Sequence, residues 1–164
     1  MSTRCFIAKE NSDGSFRAAY SHWDGYPSCN GKILLDHYSD HQKLDALLDE
    51  GSISILRKEI GEKHDFDAPL KLAVATPAEV KYGQTTQEIN EWTTFYGRDR
   101  GEENIDANSY NTVLKLADSA KESWANYLYV FTKEGIWRYD YLLSDELPDS
   151  LDKMEELTLE ACEA

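Results

Sequence analysis

The residues best suited to chemistry lie together in one short segment, residues 22–27, which reads HWDGYP. His22 has the side chain of a general base, and Asp24 follows it closely enough to be its orienting partner. The aromatic rings of Trp23 and Tyr26 could stack on a planar ligand. The segment is therefore a candidate ligand loop.

The same segment could instead be a structural turn. Side chains two residues apart in an extended chain share a face but rarely bond each other well, which weakens the pairing of His22 with Asp24. In the structural interpretation Asp24 bonds to the backbone, Gly25 takes a positive φ, Pro27 fixes the exit of the loop and Trp23 is buried. Both interpretations stay open from the sequence.

A second dense cluster, residues 98–103, reads RDRGEE and follows an aromatic run. Arg98 and Arg100 point the same way if the chain is extended, and two guanidinium groups can clamp a phosphate or a carboxylate. Together with the loop they would make a site for a nucleotide or another phosphate ligand, in a binding protein or a small enzyme. The alternative is a local ion-pair cluster of the two arginines with Asp99, Glu102 and Glu103.

Metal and cofactor sites are not predicted. His37 and His41 have the four-residue spacing that places two imidazoles on one helix face, but a helix boundary is predicted between them. The cysteines at Cys5, Cys29 and Cys162 form no CxxC pattern and indicate free thiols. Familiar phosphate-loop, metalloprotease and EF-hand motifs do not occur in the sequence, so we assign no catalytic residue.

The charge of the chain is strong and uneven. The net charge is −14, and residues 83–164 contain seven basic and 18 acidic side chains. Such a surface repels nucleic acids and anionic membranes, and it steers the protein toward basic partners. The last 20 residues contain Lys153 as their one basic side chain and eight carboxylates, which we call the acidic segment: Asp145, Glu146, Asp149, Asp152, Glu155, Glu156, Glu160 and Glu163.

Hydrophobic periodicity predicts an α+β fold. Two hairpins, at about 3–21 and 125–141, would form an antiparallel sheet that four to six helices cover on one face. A capping box of Ser39 and Gln42 would begin one of these helices. The helices are predicted at 32–38, 39–51, 52–61 and 111–122, and from Leu151 onward as an acidic C-terminal helix, with shorter start signals at 76–79 and 85–88.

Length and composition predict one domain spanning residues 1–164. The chain is 41% hydrophobic and 12% aromatic, which is enough packing material for an independent core. It contains no run of about 18 apolar residues and no signal-peptide pattern at its N-terminus. We therefore expect a cytosolic protein.

Three segments of the sequence resemble one protein family. They are the MSTR strand at residues 1–4, the run YSHWDGYP at 20–27 with GKILLDHY at 31–38, and RDRGE at 98–102. Together they are similar to a family of small uncharacterised proteins encoded by bacteriophages, prophages and plasmids. The resemblance implies an accessory gene of a mobile element and implies no catalytic residue.

Three functions follow from these observations. The leading hypothesis is a non-enzymatic phage or prophage protein that inhibits a host defence or nucleic-acid-handling complex by DNA mimicry, in the manner of anti-CRISPR or anti-restriction proteins. Its partner would be a basic protein surface that normally binds nucleic acid. The second is the phosphate-ligand protein or small enzyme described above. The third is a structural phage component, which would require stable self-association.

Overall fold

A computed structural model describes residues 2–64 and 91–163. The strands among them are β1 (Cys5–Glu10), β2 (Phe16–Ser21), β3 (Ile53–Ile55), β4 (Thr94–Phe95), β5 (Asn108–Tyr110), β6 (Tyr127–Phe131), β7 (Trp137–Tyr141) and β8 (Glu155–Glu156). The α-helices are α1 (Lys32–His37), α2 (His41–Asp49), α3 (Val113–Glu122) and α4 (Leu159–Glu163). The predicted α+β class is confirmed.

Both predicted hairpins are present. Strands β1 and β2 pair antiparallel from Cys5 opposite Ser21 to Glu10 opposite Phe16. Strands β6 and β7 pair antiparallel, and Tyr127 lies opposite Tyr141. Alternation of apolar and polar residues around a short glycine-containing turn was sufficient to locate both pairs.

The sheet is mixed, which corrects the predicted antiparallel sheet. Its strand order is β4-β3-β2-β1-β6-β7-β8, with β5 paired to β2. The two hairpins meet through a parallel pairing of β1 with β6, and β2 also pairs parallel with β3. A parallel pair needs a long crossover connection, and the long stretch of chain between the hairpins supplies it here.

Both faces of the sheet are covered, whereas one covered face was predicted. One face packs against α1, α2 and α4 in a cluster that includes Leu34, Leu47 and Cys162. The other face packs against α3 through Leu116 and Ala120. In β6, Tyr129 belongs to the first cluster while Leu128 and Val130 belong to the second, as the pleat requires.

The helices predicted at 32–38, 39–51 and 111–122 are confirmed as α1, α2 and α3 with small shifts at their ends. The cap of α2 is Asp40, whose carboxylate accepts a 3.0 Å hydrogen bond from the Gln42 amide. The predicted cap residue, Ser39, instead donates to the Leu35 carbonyl oxygen. Thr112 caps α3 through the Lys115 amide.

Two predicted helices are wrong. Residues 53–55 of the predicted 52–61 helix form β3, whose backbone pairs with β2 and β4. The predicted acidic helix is a short 3₁₀ turn at Leu151–Lys153, then β8, then the short helix α4. Met154 and Leu157 lie in the clusters on opposite faces of the sheet, which an extended chain permits and a single helix stripe does not. The helix-start signals at 76–79 and 85–88 lie outside the described residues.

Candidate functional site

The HWDGYP loop is held against the start of β1. The Gly25 amide donates a 2.8 Å hydrogen bond to the Thr3 carbonyl oxygen. A Cβ atom at Gly25 would lie 2.8 Å from that same oxygen, so only glycine allows this approach. The positive φ predicted for Gly25 belongs instead to Asp24, at +60°.

Buried polar groups also hold the loop in place from the interior of the protein. The Asn30 side-chain amide donates to the Trp23 carbonyl oxygen at 3.0 Å and to Ser21 Oγ at 3.3 Å. Asn30 is buried beside Cys5, and burial raises the pKa of the Cys5 thiol to about 12. These contacts make the loop a rigid element that comes directly off β2.

The aromatic side chains of the loop face solvent. Trp23 is 43% exposed, although the structural interpretation placed it in the core, and Tyr26 is 37% exposed. The Tyr26 hydroxyl lies 3.4 Å from Asp24 Oδ1. A hydrogen bond with Cys29, together with the charges of Cys29 and Asp24, raises the pKa of Tyr26 to about 12. The backbone of the loop is thus held in place by the fold, while the rings of Trp23 and Tyr26 remain exposed for binding.

His22 lies in a small basic and aromatic group. Its Nδ1 is 2.6 Å from the Tyr20 hydroxyl, and its ring is 6.5 Å from that of Tyr96. The Arg100 guanidinium lies over the Tyr96 ring at 5.7 Å. Burial, then the charges of Arg4 and Arg100, lower the pKa of His22. A neutral imidazole can accept the Tyr20 proton at Nδ1, so the geometry and the pKa agree.

Arg98 and Arg100 have different roles. The Arg98 guanidinium donates to the carbonyl oxygens of Ile60, Gly61 and Thr93 and pairs with the buried carboxylate of Asp99. Its hydrogen-bonding capacity is therefore used inside the fold, as the ion-pair alternative anticipated for Asp99. Arg100 is exposed and is the arginine that reaches the neighbourhood of His22.

All eight carboxylates of the acidic segment are exposed. Within the part of the chain that the structure describes, two of them have a basic side chain at ion-pair distance. Asp145 lies 3.5 Å from Lys121, and Asp149 lies 2.9 Å from Lys153. The carboxylates lie along a turn, a 3₁₀ turn, an edge strand and a short helix, so they form an irregular surface.

A cleft of about 570 Å³ lies between the HWDGYP loop, the end of the β6–β7 hairpin and the acidic segment. Its walls include four tyrosines, one lysine and one glutamate, and we call it the tyrosine cleft: Tyr26, Tyr127, Tyr139, Tyr141, Lys153 and Glu155. Volumes of this size are typical of ligand sites. The cleft brings the loop and the acidic segment together.

The rings of the cleft are ordered by the hairpin. Tyr127 and Tyr141 are cross-strand neighbours whose rings stack at 4.8 Å between centroids and 13° between planes. Tyr139 donates a 2.9 Å hydrogen bond to Glu155 Oε2. Burial, then this carboxylate, raises the pKa of Tyr139 to about 12. The cleft therefore presents aromatic surface beside the exposed side chain of Glu155.

Only part of this site could be identified from the sequence. Tyr26 and Glu155 were candidates, but for separate surfaces, and the expected meeting of the loop with both arginines is limited to Arg100. Tyr127, Tyr139 and Tyr141 were not candidates, and Tyr127 and Tyr139 also pack partly against the core. The signal that could have identified them is their alternate spacing on two paired strands, which places the three rings on one face of the sheet.

Among residues 2–64 and 91–163, no group of three or more His, Cys, Asp or Glu side chains is arranged to hold a metal ion. In the same ranges, no helix has the length and apolar character to cross a membrane. Comparisons with protein-family models, curated proteins and solved structures gave no match to this chain.

Proposed function

We propose that this chain is a phage- or prophage-encoded acidic binding protein that inhibits a host defence or nucleic-acid-handling complex. It acts without catalysis, by placing carboxylates in the basic groove that the partner uses for nucleic acid. The proposed site of action is the host cytosol. This corresponds to the mode of anti-CRISPR or anti-restriction inhibitors that mimic DNA.

The observation that carries the proposal is the exposure of every carboxylate in the acidic segment. Glu156, Glu160 and Glu163 have no basic side chain at ion-pair distance among the described residues, so their charge is directed at solvent. A surface that served solubility alone would mix lysines among the acids. A basic groove evolved for phosphates would attract this surface and gain affinity by releasing counterions.

The biological context of the proposal comes from the sequence motifs. The HWDGYP and RDRGE segments resemble those of proteins encoded by mobile elements, where genes that block host defence are common. The irregular path of the acidic segment makes the mimicry one of charge distribution, without the regular spacing that a single long helix would give.

The test is affinity capture from a bacterium that carries restriction and CRISPR systems, followed by inhibition assays on the captured protein. We expect a nucleic-acid-binding protein whose DNA binding the chain inhibits, with inhibition that weakens steeply as salt rises. A variant with Asp145, Glu146, Asp152, Glu156, Glu160 and Glu163 changed to Asn or Gln should lose inhibition.

The matched control removes the same number of charges elsewhere on the surface. Its substitutions fall on exposed acids outside the acidic segment: Glu62, Glu102, Glu103, Asp106, Asp118 and Glu134. Inhibition by this control should persist. Equal behaviour of the two variants, or inhibition that is insensitive to salt, would contradict the proposed function.

A second candidate function is the binding of a phosphate-containing ligand at His22. The observations in its favour are that Arg100 lies over the Tyr96 ring beside His22, and that burial, then the charges of Arg4 and Arg100, lower the pKa of His22. Trp23 is exposed and packs edge-to-face on the His22 ring at 4.8 Å, so it could stack on a base. Arg98 takes no part in this narrower site.

The second candidate is tested by titrating the protein with inorganic phosphate and with AMP while following the His22 ring signals by NMR. Binding should shift those signals, and Arg100→Gln should weaken the binding. An unchanged His22 spectrum at millimolar ligand rejects this candidate.

A further inference from the structure

The tyrosine cleft has the chemistry of a site for a cation. Tyrosine rings carry negative charge density on their faces and attract cations placed over them. Tyr141 is 49% exposed and Tyr26 is 37% exposed, so ring surface of both the β6–β7 hairpin and the HWDGYP loop is open to a ligand.

Glu155 gives the cleft a net negative charge. Its carboxylate accepts the hydrogen bond from Tyr139 and has no basic side chain at ion-pair distance within residues 2–64 and 91–163. Asp140 also lines the cleft, and burial, followed by the charge of Glu155, raises the pKa of Asp140. A bound cation would give Glu155 a basic partner and would favour the charged form of Asp140.

Lys153 does not neutralise the cleft. Its ammonium group lies 2.9 Å from Asp149, and that hydrogen bond and ion pair raise the pKa of Lys153. The lysine charge is therefore already matched by a carboxylate outside the cleft. An anionic ligand would have to enter against Glu155 and against the charge of the whole chain.

The shape of the site favours a guanidinium over an ammonium group. A guanidinium is planar, stacks on aromatic faces and donates several hydrogen bonds in one plane, whereas an ammonium is a compact and strongly hydrated point charge. Tyr141 stacks on Tyr127 through one face of its ring and is 49% exposed, so its other face can receive a planar cation, and Glu155 offers two acceptor oxygens. The volume of about 570 Å³ also leaves room for the methylene stem and the flanking backbone.

We propose that the tyrosine cleft binds an arginine side chain of the basic partner, with its guanidinium on the tyrosine rings and donating to Glu155. This inference rests on the proposed function, since it names the anchor by which a basic protein would be held. Tyrosine and arginine are the residues that most often dominate binding energy at protein interfaces. The acidic segment would then steer the partner, and the cleft would fix its position.

The test uses the full chain and N-acetyl-arginine amide as the probe, followed by NMR of the tyrosine ring signals. The comparison ligands are N-acetyl-citrulline amide, which has nearly the same shape without the charge, and N-acetyl-lysine amide. We expect the arginine probe to bind at least about tenfold more tightly than the citrulline probe, and more tightly than the lysine probe. Equal binding of either comparison ligand overturns the proposal.

Variants locate the binding. Glu155→Gln should weaken binding of the arginine probe about fivefold or more, and Tyr141→Ala should weaken it similarly. Tyr141→Phe keeps the ring and should retain binding, which separates loss of stacking from loss of folding. The control Glu134→Gln removes an exposed charge outside both the cleft and the acidic segment and should bind as the parent does. Unchanged binding in Glu155→Gln overturns the assignment.

The experiment distinguishes this inference from the proposed function. If the chain inhibits a partner through its surface charges but does not prefer the arginine probe, the cleft assignment fails and the function stands. If the cleft binds the arginine probe while neutralising the acidic segment leaves inhibition intact, the mimicry proposal fails and the cleft assignment stands.

Discussion

The hydroxyl group of Tyr129 donates a 2.6 Å hydrogen bond to the carbonyl oxygen of Gly25. It joins the central strand β6 to the HWDGYP loop across the interior, and both residues are buried. Burial also raises the pKa of Tyr129, because an ionised phenol would be poorly solvated there. The loop thus owes its position to a residue far from it in sequence.

Replacing Tyr129 with Phe should destabilise the fold by about 1–3 kcal/mol, because the Gly25 carbonyl group would lose its donor in a buried site. Urea unfolding followed by circular dichroism measures this change. The matched substitution is Tyr139→Phe, whose partner Glu155 is exposed and can bond water. It should cost about 1 kcal/mol or less, and equal costs for the two variants would show that the Gly25 bond is unimportant.

Replacing Gly25 with Ala should cost about 1–3 kcal/mol, because the new methyl group would meet the backbone of Thr3 and Arg4. The same unfolding experiment applies. Ser28→Ala, an exposed change a few residues away, should stay within about 0.5 kcal/mol of the parent. A Gly25→Ala variant as stable as Ser28→Ala would mean that the loop can move away from β1.

Replacing Asp99 with Asn should cost about 3–5 kcal/mol. The Asp99 side chain is fully buried, and its two oxygens accept hydrogen bonds from the amides of His64 and Phe95 and from Arg98. An Asn side chain replaces one of the two acceptor oxygens with an amide NH₂ group, which cannot accept these hydrogen bonds. It also leaves the Arg98 charge uncompensated. The exposed control Glu102→Gln should be nearly neutral, and a similar result for Asp99→Asn would rule out a structural role for this pair.

The stability of the protein should depend on His22 below pH 6.5. Its pKa in the folded protein lies below the ordinary value of 6.5, so the unfolded chain binds the proton more readily. The contribution of His22 is complete above pH 6.5 and is lost as the pH falls from there through the folded pKa. The stability of His22→Gln should therefore decrease less over this interval than that of the parent.

An NMR titration of the His22 ring tests the cause of this shift directly. The midpoint should lie below 6.5 in the parent protein and should rise in Arg100→Gln, because that variant removes a positive charge near the imidazole. Glu103→Gln, which changes an exposed charge in the same loop region, serves as the control. A parent midpoint at or above 6.5 would contradict the assignment.

The parts of the fold that could be predicted from the sequence are those with local signals. The spacing of Val113, Leu116, Ala117 and Ala120 located α3, because a helix repeats its buried face within a few residues. Alternation of apolar and polar residues located both hairpins, because a strand also repeats its buried face within a few residues. The pairing of β1 with β6 has no local signal, since it depends on which two distant strands satisfy each other's backbone groups.

The candidate site divides in the same way. The loop and the acidic segment were identified by composition, but their meeting around the tyrosine cleft depends on β8 pairing with β7. Leu151, Met154 and Leu157 are three residues apart, and this spacing fits the buried face of a helix as well as it fits the observed 3₁₀ turn and strand. Periodicity does not report that Met154 and Leu157 have separate cores to fill on the two faces of a sheet.

The parallel pairing of β1 with β6 also sets the order in which the protein can fold during synthesis. Cys5 emerges from the ribosome 122 residues before its partner Tyr127. Closing so long a loop is slow, and β1 keeps an unpaired edge until β6 arrives. The hairpin of β1 and β2 therefore stays incompletely paired until β6 has been made, and fragments that end before Tyr127 should aggregate when expressed.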